Sequence, residues 1–154
     1  MVRFSMVFEE VRLLHEPFSP QEYIEKTANY TITKGGVASF TGYVSADGGV
    51  EALELSHYEP LTQPGMEDLS WKAQQRFELK ALTIIHRVGL MRPGEPIVCV
   101  SAAARHRRGA IEAVDYCMDH LKSAAWFWKR ELKNGEWTWI EPREEDHADL
   151  ARWR

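Results

Sequence analysis

The dipeptide Asn134-Gly135 constrains the fold of this 154-residue chain more than any other feature. Both residues tolerate a positive φ, so the pair is the strongest short-range signal for a tight β-hairpin turn. The turn predicts that Trp126–Leu132 pairs with Glu136–Glu141 in an antiparallel hairpin.

The register of this hairpin follows from pairing Lys133 with Glu136 next to the turn, which separates the side chains into two faces. The tryptophan face contains Trp128, Arg130, Leu132, Trp137 and Trp139, and the opposite face contains Lys129, Glu131, Thr138 and Ile140. A large apolar face of this kind is more often core or interface than a platform for stacking bases. We expect part of it to be covered by a second subunit or by the C-terminal segment.

Apolar periodicity predicts the remaining elements. The predicted strands are Arg3–Phe8, Val37–Val44, Glu51–Tyr58, Ala81–Val88 and Ile97–Ala102. The predicted helices run from the capping box at Ser19 toward Ala28, over Glu67–Phe77, and from near Gly109 along Ile111, Val114, Met118, Leu121 and Ala125. The charged tail from Arg143 to Arg154 is compatible with a helix or with an irregular segment.

The connections between these elements complete the predicted architecture. The turn Asp47-Gly48-Gly49 predicts a hairpin of the second strand with the third. Pro60 and Pro64-Gly65 predict a loop ahead of the second helix. Because strands and helices mix without a regular βαβ alternation, we predict one α+β domain over residues 1–154.

Charge and hydropathy exclude several classes of protein. The formal net charge of -4 argues against a nucleic-acid-binding protein, which needs a broad basic face. No apolar run approaches the roughly 20 residues of a membrane span. Because Arg3, Glu9 and Glu10 interrupt any signal-peptide core, we expect a cytoplasmic location. Cys99 and Cys117 fall in apolar runs and are predicted to be core residues.

A basic cluster, Arg105-His106-Arg107-Arg108, follows a predicted strand and precedes the third helix. Backbone amides at a helix N-terminus attract anions, and guanidinium groups match phosphate or carboxylate. On an acidic chain this cluster favours a small anionic ligand over bulk nucleic acid. The alternative is a solvated basic loop, and the residues alone do not decide between the two.

Two lysines stand out near the end of the third helix and in the hairpin. Lys122 lies at the margin of the apolar stripe, and Lys129 follows seven positions later on the face away from the tryptophans. Lys122 fits either a solvated lysine favoured by the helix dipole or a desolvated amine that acts as nucleophile or general base. Taken alone, Lys129 fits a surface strand lysine. The histidines show no metal-ligand spacing, so we predict no metal site and no cofactor.

The order of several separated motifs resembles the large, catalytic subunit of molybdopterin synthase, the MoaE family. The resemblance extends from about Gly35 to Arg143. The motifs are Gly36–Gly42, Leu55–Tyr58, Ile85–Gly89, Pro93–Glu95, Ala104–Arg107, Met118–Lys122 and Phe127–Glu131. The family resemblance implies an α/β-hammerhead-type mixed sheet with three helices and a C-terminal β-hairpin.

The resemblance also implies a sulfurtransferase reaction and its partners. The implied substrate is cyclic pyranopterin monophosphate, which receives two sulfurs to form the dithiolene of molybdopterin. The implied sulfur donor is a thiocarboxylate on the C-terminal Gly-Gly tail of a small ubiquitin-like subunit. The implied assembly is a central homodimer flanked by two small subunits, a heterotetramer.

Carried over residue by residue, the resemblance makes Lys122 and Lys129 the catalytic lysines. The residues it implies for substrate binding are Phe40, Arg105, His106, Arg107, Arg108 and Arg143. One departure from the family pattern is Ser45, where the family usually has arginine; one cationic contact is then either missing or supplied by Arg105 or Arg108. This departure permits an alternative, a non-catalytic paralogue that binds the ubiquitin-like partner or an anionic phosphate ligand.

Overall fold

The computed structural model describes residues 7–124 and 126–153. The strands of this part are β1 (Phe8–Leu14), β2 (Gly36–Tyr43), β3 (Ala52–His57), β4 (Ala81–Arg87), β5 (Gly89–Met91), β6 (Pro96–Ala104), β7 (Phe127–Lys133) and β8 (Glu136–Ile140). The α-helices are α1 (Pro20–Asn29), α2 (Glu59–Phe77), α3 (Arg107–Ser123) and α4 (Glu144–Ala151). The mixed order of helices and strands confirms the α+β class.

The strands form two four-stranded sheets. The first has the order β1-β4-β6-β2 and is mixed, because β1 runs parallel to β4 while the other pairs are antiparallel. The second has the order β5-β3-β7-β8 and is antiparallel throughout. On the central strand β4, Leu82 and Ile84 join the core with α2 and α3. The Thr83 hydroxyl instead bonds Thr27 of α1, 2.8 Å away.

The first strand differs from the prediction Arg3–Phe8. Residues 3–6 lie outside the described residues, and the observed strand runs over Phe8–Leu14. Val11 and Leu13 pack against the core cluster, whereas Glu10 pairs with Lys26 at 3.6 Å. Charged residues are tolerated here because β1 is an edge strand of its sheet. These charges interrupt the apolar alternation, and for this reason the sequence pattern did not predict the strand.

The predicted hairpin between the second and third strands is wrong. β2 pairs with β6, and β3 pairs with β5 and β7 in the other sheet. The chain leaves β2 at a register shift after Gly42. Val44 then donates its N–H to the Glu95 carbonyl (2.9 Å) and accepts the Gly94 N–H (2.8 Å). These bonds connect the end of β2 to the turn before β6. The chain then continues to β3 in the second sheet.

The predicted loop at Pro60 and Pro64-Gly65 is also wrong, because α2 already begins at Glu59. Pro60 lies in the first helical turn, where a missing N–H removes no intrahelical bond. Pro64 lies inside the helix and does lose one such bond. The buried side chains of Thr62 and Met66 on either side of it hold this turn in the packed structure. Gly65 leaves room for the Trp126 indole, which a Cβ would meet at 2.4 Å.

The C-terminal hairpin has the predicted register, with Lys133 opposite Glu136. Trp128, Trp137 and Trp139 on the tryptophan face are 47%, 37% and 61% exposed. Three helices were predicted and the tail was left open between a helix and an irregular segment; it forms a fourth helix, α4. α4 packs beside α3, with Trp153 against Phe77 and Tyr116. The C-terminal segment therefore does not cover the tryptophan face, and its cover by a second subunit stays a prediction.

The third helix begins at Arg107, two residues before its predicted entry, and ends at Ser123. Ala125, predicted as the last residue of its apolar stripe, lies outside the described residues. In the part of the chain that is described, we find no helix long and apolar enough to cross a membrane.

Alanine substitutions at two adjacent glycines should differ in their effect on stability. A Cβ at Gly35 would lie 1.7 Å from the Arg105 carbonyl oxygen, whereas a Cβ at Gly36 would be 3.7 Å from its nearest neighbour. Gly35→Ala should therefore lower the free energy of unfolding by about 1–3 kcal/mol, because backbone must move to make room. Gly36→Ala, the matched control, should change it by less than about 1 kcal/mol. Urea unfolding of both variants measures the difference, and equal stabilities would contradict the close approach of β2 to the start of α3.

Candidate active site

A cavity of about 350 Å³ opens where the two sheets meet the C-terminal end of α3. Its apolar walls come mainly from β2, β3, β6 and α3: Phe40, Leu53, Leu55, Val98, Met118 and Leu121. Its basic and acidic side chains come from four different elements: His86, Lys122, Lys129 and Asp146. A mostly apolar cavity with a few convergent polar groups is the usual form of a small-molecule or peptide-tail site.

Lys122 enters this cavity from the last turn of α3. Lys122 is exposed at the opening, and the protein atoms on its cavity side remove part of the hydration of the ammonium. This desolvation lowers the pKa of Lys122, and the positive charge of Lys129 lowers it further. Arg143 acts in the same direction, whereas Asp146 raises the pKa. Lys122 therefore has a larger fraction of free amine at neutral pH than a solvated lysine, as a nucleophile or general base requires.

Lys129 reaches the same cavity from β7. Its cross-strand neighbours are Leu55 on β3 and Ile140 on β8, and both also line the cavity. The hairpin register thus turns Lys129 toward the cavity and away from the tryptophan face. The structure brings together the two lysines that the sequence singled out, one from a helix and one from a strand.

The predicted binding residue Arg143 lies at the edge of this region, as the N-cap of α4. Its side chain is 71% exposed and donates to the Asp146 carboxylate at 3.1 Å, while its backbone N–H donates to the same group at 3.0 Å. Burial alone would raise the pKa of Asp146, but these hydrogen bonds and the charges of Arg143 and Lys122 outweigh it and lower the pKa. Asp146 is therefore a carboxylate at neutral pH.

The basic cluster lies far from the lysines within one chain. Arg105, His106, Arg107 and Arg108 are all exposed at the N-terminal end of α3, and none lines the cavity. Lys122 follows Arg107 by 15 residues of helix, a distance of about 22 Å at 1.5 Å per residue. The predicted binding residue Phe40, by contrast, does line the cavity, and it is half exposed.

An open apolar groove runs from the cavity along α3 in the direction of the basic cluster. It adjoins the cavity and shares Phe40, Met118 and Lys122 with it. It continues over Val114 and the exposed Ile111 toward the start of the helix. Among the described residues, no group of His, Cys, Asp and Glu side chains is arranged to hold a metal ion.

The family model described as "MoaE protein" matches residues 13–124 of this chain. The chain belongs to the MoaE family. A molybdopterin synthase catalytic subunit from Caulobacter vibrioides is 42% identical to this MoaE-family chain over 144 residues, covering 93% of this chain and 96% of that protein. The protein of the same name from Cereibacter sphaeroides is 38% identical over 139 residues, covering 90% and 95%.

Solved MoaE structures share the fold of this chain. The molybdopterin cofactor biosynthesis protein E from Burkholderia multivorans superposes with a TM-score of 0.80 at 34% identity, covering 95% of this chain and 97% of that one. The MoaE protein from Burkholderia ambifaria gives 0.80 at 32% identity, covering 95% and 98%. The α+β architecture of this MoaE-family chain is therefore the architecture of solved members of the family.

His86 is a cavity residue that sequence reasoning missed, because its position in an apolar strand predicted only a packed side chain. Its ring stacks on Phe127 with centroids 4.1 Å apart, and its Nδ1 donates to the Arg87 carbonyl at 3.0 Å. That bond fixes the tautomer and leaves Nε2 as a hydrogen-bond acceptor. Desolvation lowers the pKa of His86 to about 4 despite the bond to Arg87, and the charge of Lys122 contributes.

The lowered pKa of His86 predicts a loss of stability in mild acid. The side chain is 7% exposed and neutral in the folded protein, so protonation favours the unfolded chain. The contribution of the neutral His86 side chain to the free energy of unfolding is complete above pH 6.5. It is lost as the pH falls from there to about 4. With about 1.36 kcal/mol per pKa unit, the loss is on the order of 3 kcal/mol.

Urea unfolding at a series of pH values measures this effect. His86→Phe keeps the aromatic stacking and should flatten the decline of stability between pH 6.5 and about 4. His147→Gln removes an exposed histidine on α4 and should keep the wild-type slope. Identical slopes for wild type and His86→Phe would show that the imidazole is not buried in its neutral form.

Proposed function

We propose that this chain is the catalytic subunit of a molybdopterin synthase, a sulfurtransferase of molybdenum cofactor biosynthesis. It transfers sulfur from the C-terminal thiocarboxylate of a small ubiquitin-like subunit to cyclic pyranopterin monophosphate, forming the molybdopterin dithiolene. The names of its relatives support the reaction class. The observation that carries the proposal is the meeting of Lys122 and Lys129 in one cavity at the junction of the sheets.

The cavity suits the tail of the sulfur donor. A Gly-Gly tail has no side chains, so an extended backbone fits between the apolar walls near Leu55 and Met118. Its thiocarboxylate is anionic, and the ammonium of Lys129 attracts it by a charge-assisted contact. Lys122, with its lowered pKa, then acts on the acyl group as nucleophile or as general base. Phe40 offers an aromatic ring to the pterin at the open side of the cavity.

The phosphate of the substrate requires cationic partners, and His106 and Arg107 are the candidates. Since about 22 Å of helix separates Arg107 from Lys122 in one chain, both act on one substrate molecule only if they come from two copies. In a two-fold dimer across the groove of α3, the start of one α3 faces the end of the other. Each site then combines the lysines of one copy with the basic cluster of its partner, including Arg105 and Arg108.

This arrangement fits the proposed assembly, a central homodimer with a small ubiquitin-like subunit at each end. We propose that this assembly is located in the cytoplasm. Arg143 stands at the rim of the cavity, where its guanidinium reaches an incoming anion once it releases Asp146. The N-terminus of α3 adds its backbone amides to the proposed phosphate site.

The alternative function is a non-catalytic paralogue that binds the same partner or an anionic ligand, and Ser45 is the observation that favours it. Ser45 is exposed at the start of the turn, and its Oγ accepts the Asp47 N–H at 3.0 Å. It therefore caps a turn and offers no positive charge, whereas the family pattern has arginine there. The paralogue would bind the thiocarboxylated tail without producing a dithiolene.

The first functional prediction concerns Lys122. Lys122→Ala and Lys122→Arg should both lower the rate of dithiolene formation by about 10²–10⁴-fold, because guanidinium stays protonated and serves neither as nucleophile nor as base. Lys26→Arg on α1, far from the cavity, is the control and should keep wild-type turnover. Turnover is measured with thiocarboxylated small subunit and pyranopterin. A Lys122→Arg variant with wild-type turnover would exclude the catalytic role.

The second functional prediction concerns the composite site. When Lys122→Ala and Arg107→Ala chains are mixed and allowed to exchange, half of the dimers contain one of each. Each mixed dimer has one site free of both substitutions, so turnover should recover to about a quarter of the wild-type value. Mixing Lys122→Ala with Lys129→Ala is the control, because every site of a mixed dimer then lacks one lysine. A mixture no more active than its separate components would contradict a site shared between copies.

A further inference from the structure

Asp146 is the one acidic side chain among the residues that line the cavity. Its side chain is 12% exposed, although α4 is an exposed helix whose other first-turn residues, Glu144 and Glu145, face solvent. Besides the Arg143 guanidinium, two hydrogen bonds hold it in place. The Ser123 hydroxyl, one residue after Lys122, donates to the Asp146 carbonyl at 3.0 Å, and the Arg143 backbone N–H donates to its carboxylate.

The far end of α4 is fastened to α3 as well. Arg152 reaches Asp119 at 2.7 Å and Asp115 at 2.8 Å, and the Trp153 indole N–H donates to Asp119 at 2.5 Å. With both ends of the short helix tied to α3, the position of the Asp146 carboxylate beside the last turn of α3 is fixed by the fold.

The charged groups around Lys122 come from every element packed against it. They are Lys129 on β7, His86 on β4, Arg143 and Asp146 at the start of α4, and Asp115 and Asp119 on α3 itself. His86 is neutral, and Asp115 and Asp119 are paired with Arg152. Lys129 and Arg143 repel the Lys122 ammonium, so Asp146 is the carboxylate that opposes them from within the cavity.

We propose that Asp146 is a positioning residue of this site, whose fixed carboxylate offsets the repulsion that Lys129 exerts on the Lys122 ammonium. The first turn of α4 keeps this carboxylate ionised through the helix dipole and the Arg143 bonds. Asp146 thereby sets the pH at which Lys122 becomes a free amine. The inference rests on the proposed function for the role of that amine, but its position and charge are tested without substrate.

The test is a titration of Lys122 in the intact chain. Lysines are reductively methylated with carbon-13 and followed by NMR from neutral to alkaline pH, and the Lys122 signal is assigned by its loss in Lys122→Arg. Asp146→Asn removes the charge but keeps an acceptor for the Arg143 N–H. It should move the Lys122 midpoint to lower pH, so the fraction of free amine at a pH below the midpoint rises severalfold. Asp146→Glu should restore a midpoint near that of wild type.

The matched control is Glu145→Gln, which removes the neighbouring negative charge from the same helical turn but does not touch the cavity. Its Lys122 midpoint should stay at the wild-type value. An unchanged midpoint in Asp146→Asn, or equal shifts in Asp146→Asn and Glu145→Gln, would overturn the proposal.

The pH dependence of turnover is a second measurement, and it would not change if Asp146 had only a structural role. The acidic limb of the pH–rate profile should shift to lower pH in Asp146→Asn, in step with the NMR titration, and an unshifted limb would count against the positioning role. If Asp146→Asn shifted the Lys122 midpoint but the wild-type chain made no dithiolene, the proposed function would be wrong. The effect of the Asp146 charge on Lys122 would still stand.

Discussion

The site depends on the packing of α3 across β2 and β6. Ala113 and Cys117 are fully buried on the face of α3 that covers the sheet, and Leu121 continues this face to the last turn. Burial also raises the pKa of the Cys117 thiol, which makes it a packing residue rather than a nucleophile. The close fit of Gly35 against Arg105 fixes the start of the helix. With both ends of α3 placed, the backbone of Lys122 lies at the junction of the two sheets.

The electrostatics of the cavity follow from that placement. Two lysines in a poorly hydrated cavity repel each other, and desolvation adds to the cost of keeping Lys122 charged. A folded protein tolerates such a pair where a counter-charge lies nearby or where an anionic ligand supplies one. Asp146 supplies the counter-charge in the free chain, and a thiocarboxylate tail would bring a second one. The neutral His86 on the cavity wall adds a hydrogen-bond acceptor without adding charge.

Short-range signals in the sequence were sufficient to predict the C-terminal hairpin and the third helix. Asn134-Gly135 predicted the hairpin and its register, and this register correctly turned Lys129 away from the tryptophans. The apolar stripe of the third helix correctly placed Lys122 near its C-terminal end. The family resemblance, carried by separated motifs, named the same two lysines that the fold brings together.

The errors concern features that only long-range contacts decide. The pairing of β2 with β6 depends on bonds from Val44 to Gly94 and Glu95, which are about 50 residues away in sequence. α2 includes Pro60 and Pro64 because its buried side chains outweigh the lost bond. His86 became a cavity residue only because β4 lies between β1 and β6 in the first sheet and its ring stacks on Phe127 of β7 in the second.

Mass spectrometry of the products of a single turnover tests the central claim most directly. Wild-type chain is incubated with thiocarboxylated small subunit and cyclic pyranopterin monophosphate. The proposed function predicts a pterin product that has gained two sulfurs, one from each of two small subunits, and both small subunits are returned as carboxylates. Small subunit that binds the chain while the pterin keeps its original mass would contradict the claim and identify the chain as a non-catalytic binder of the same partner.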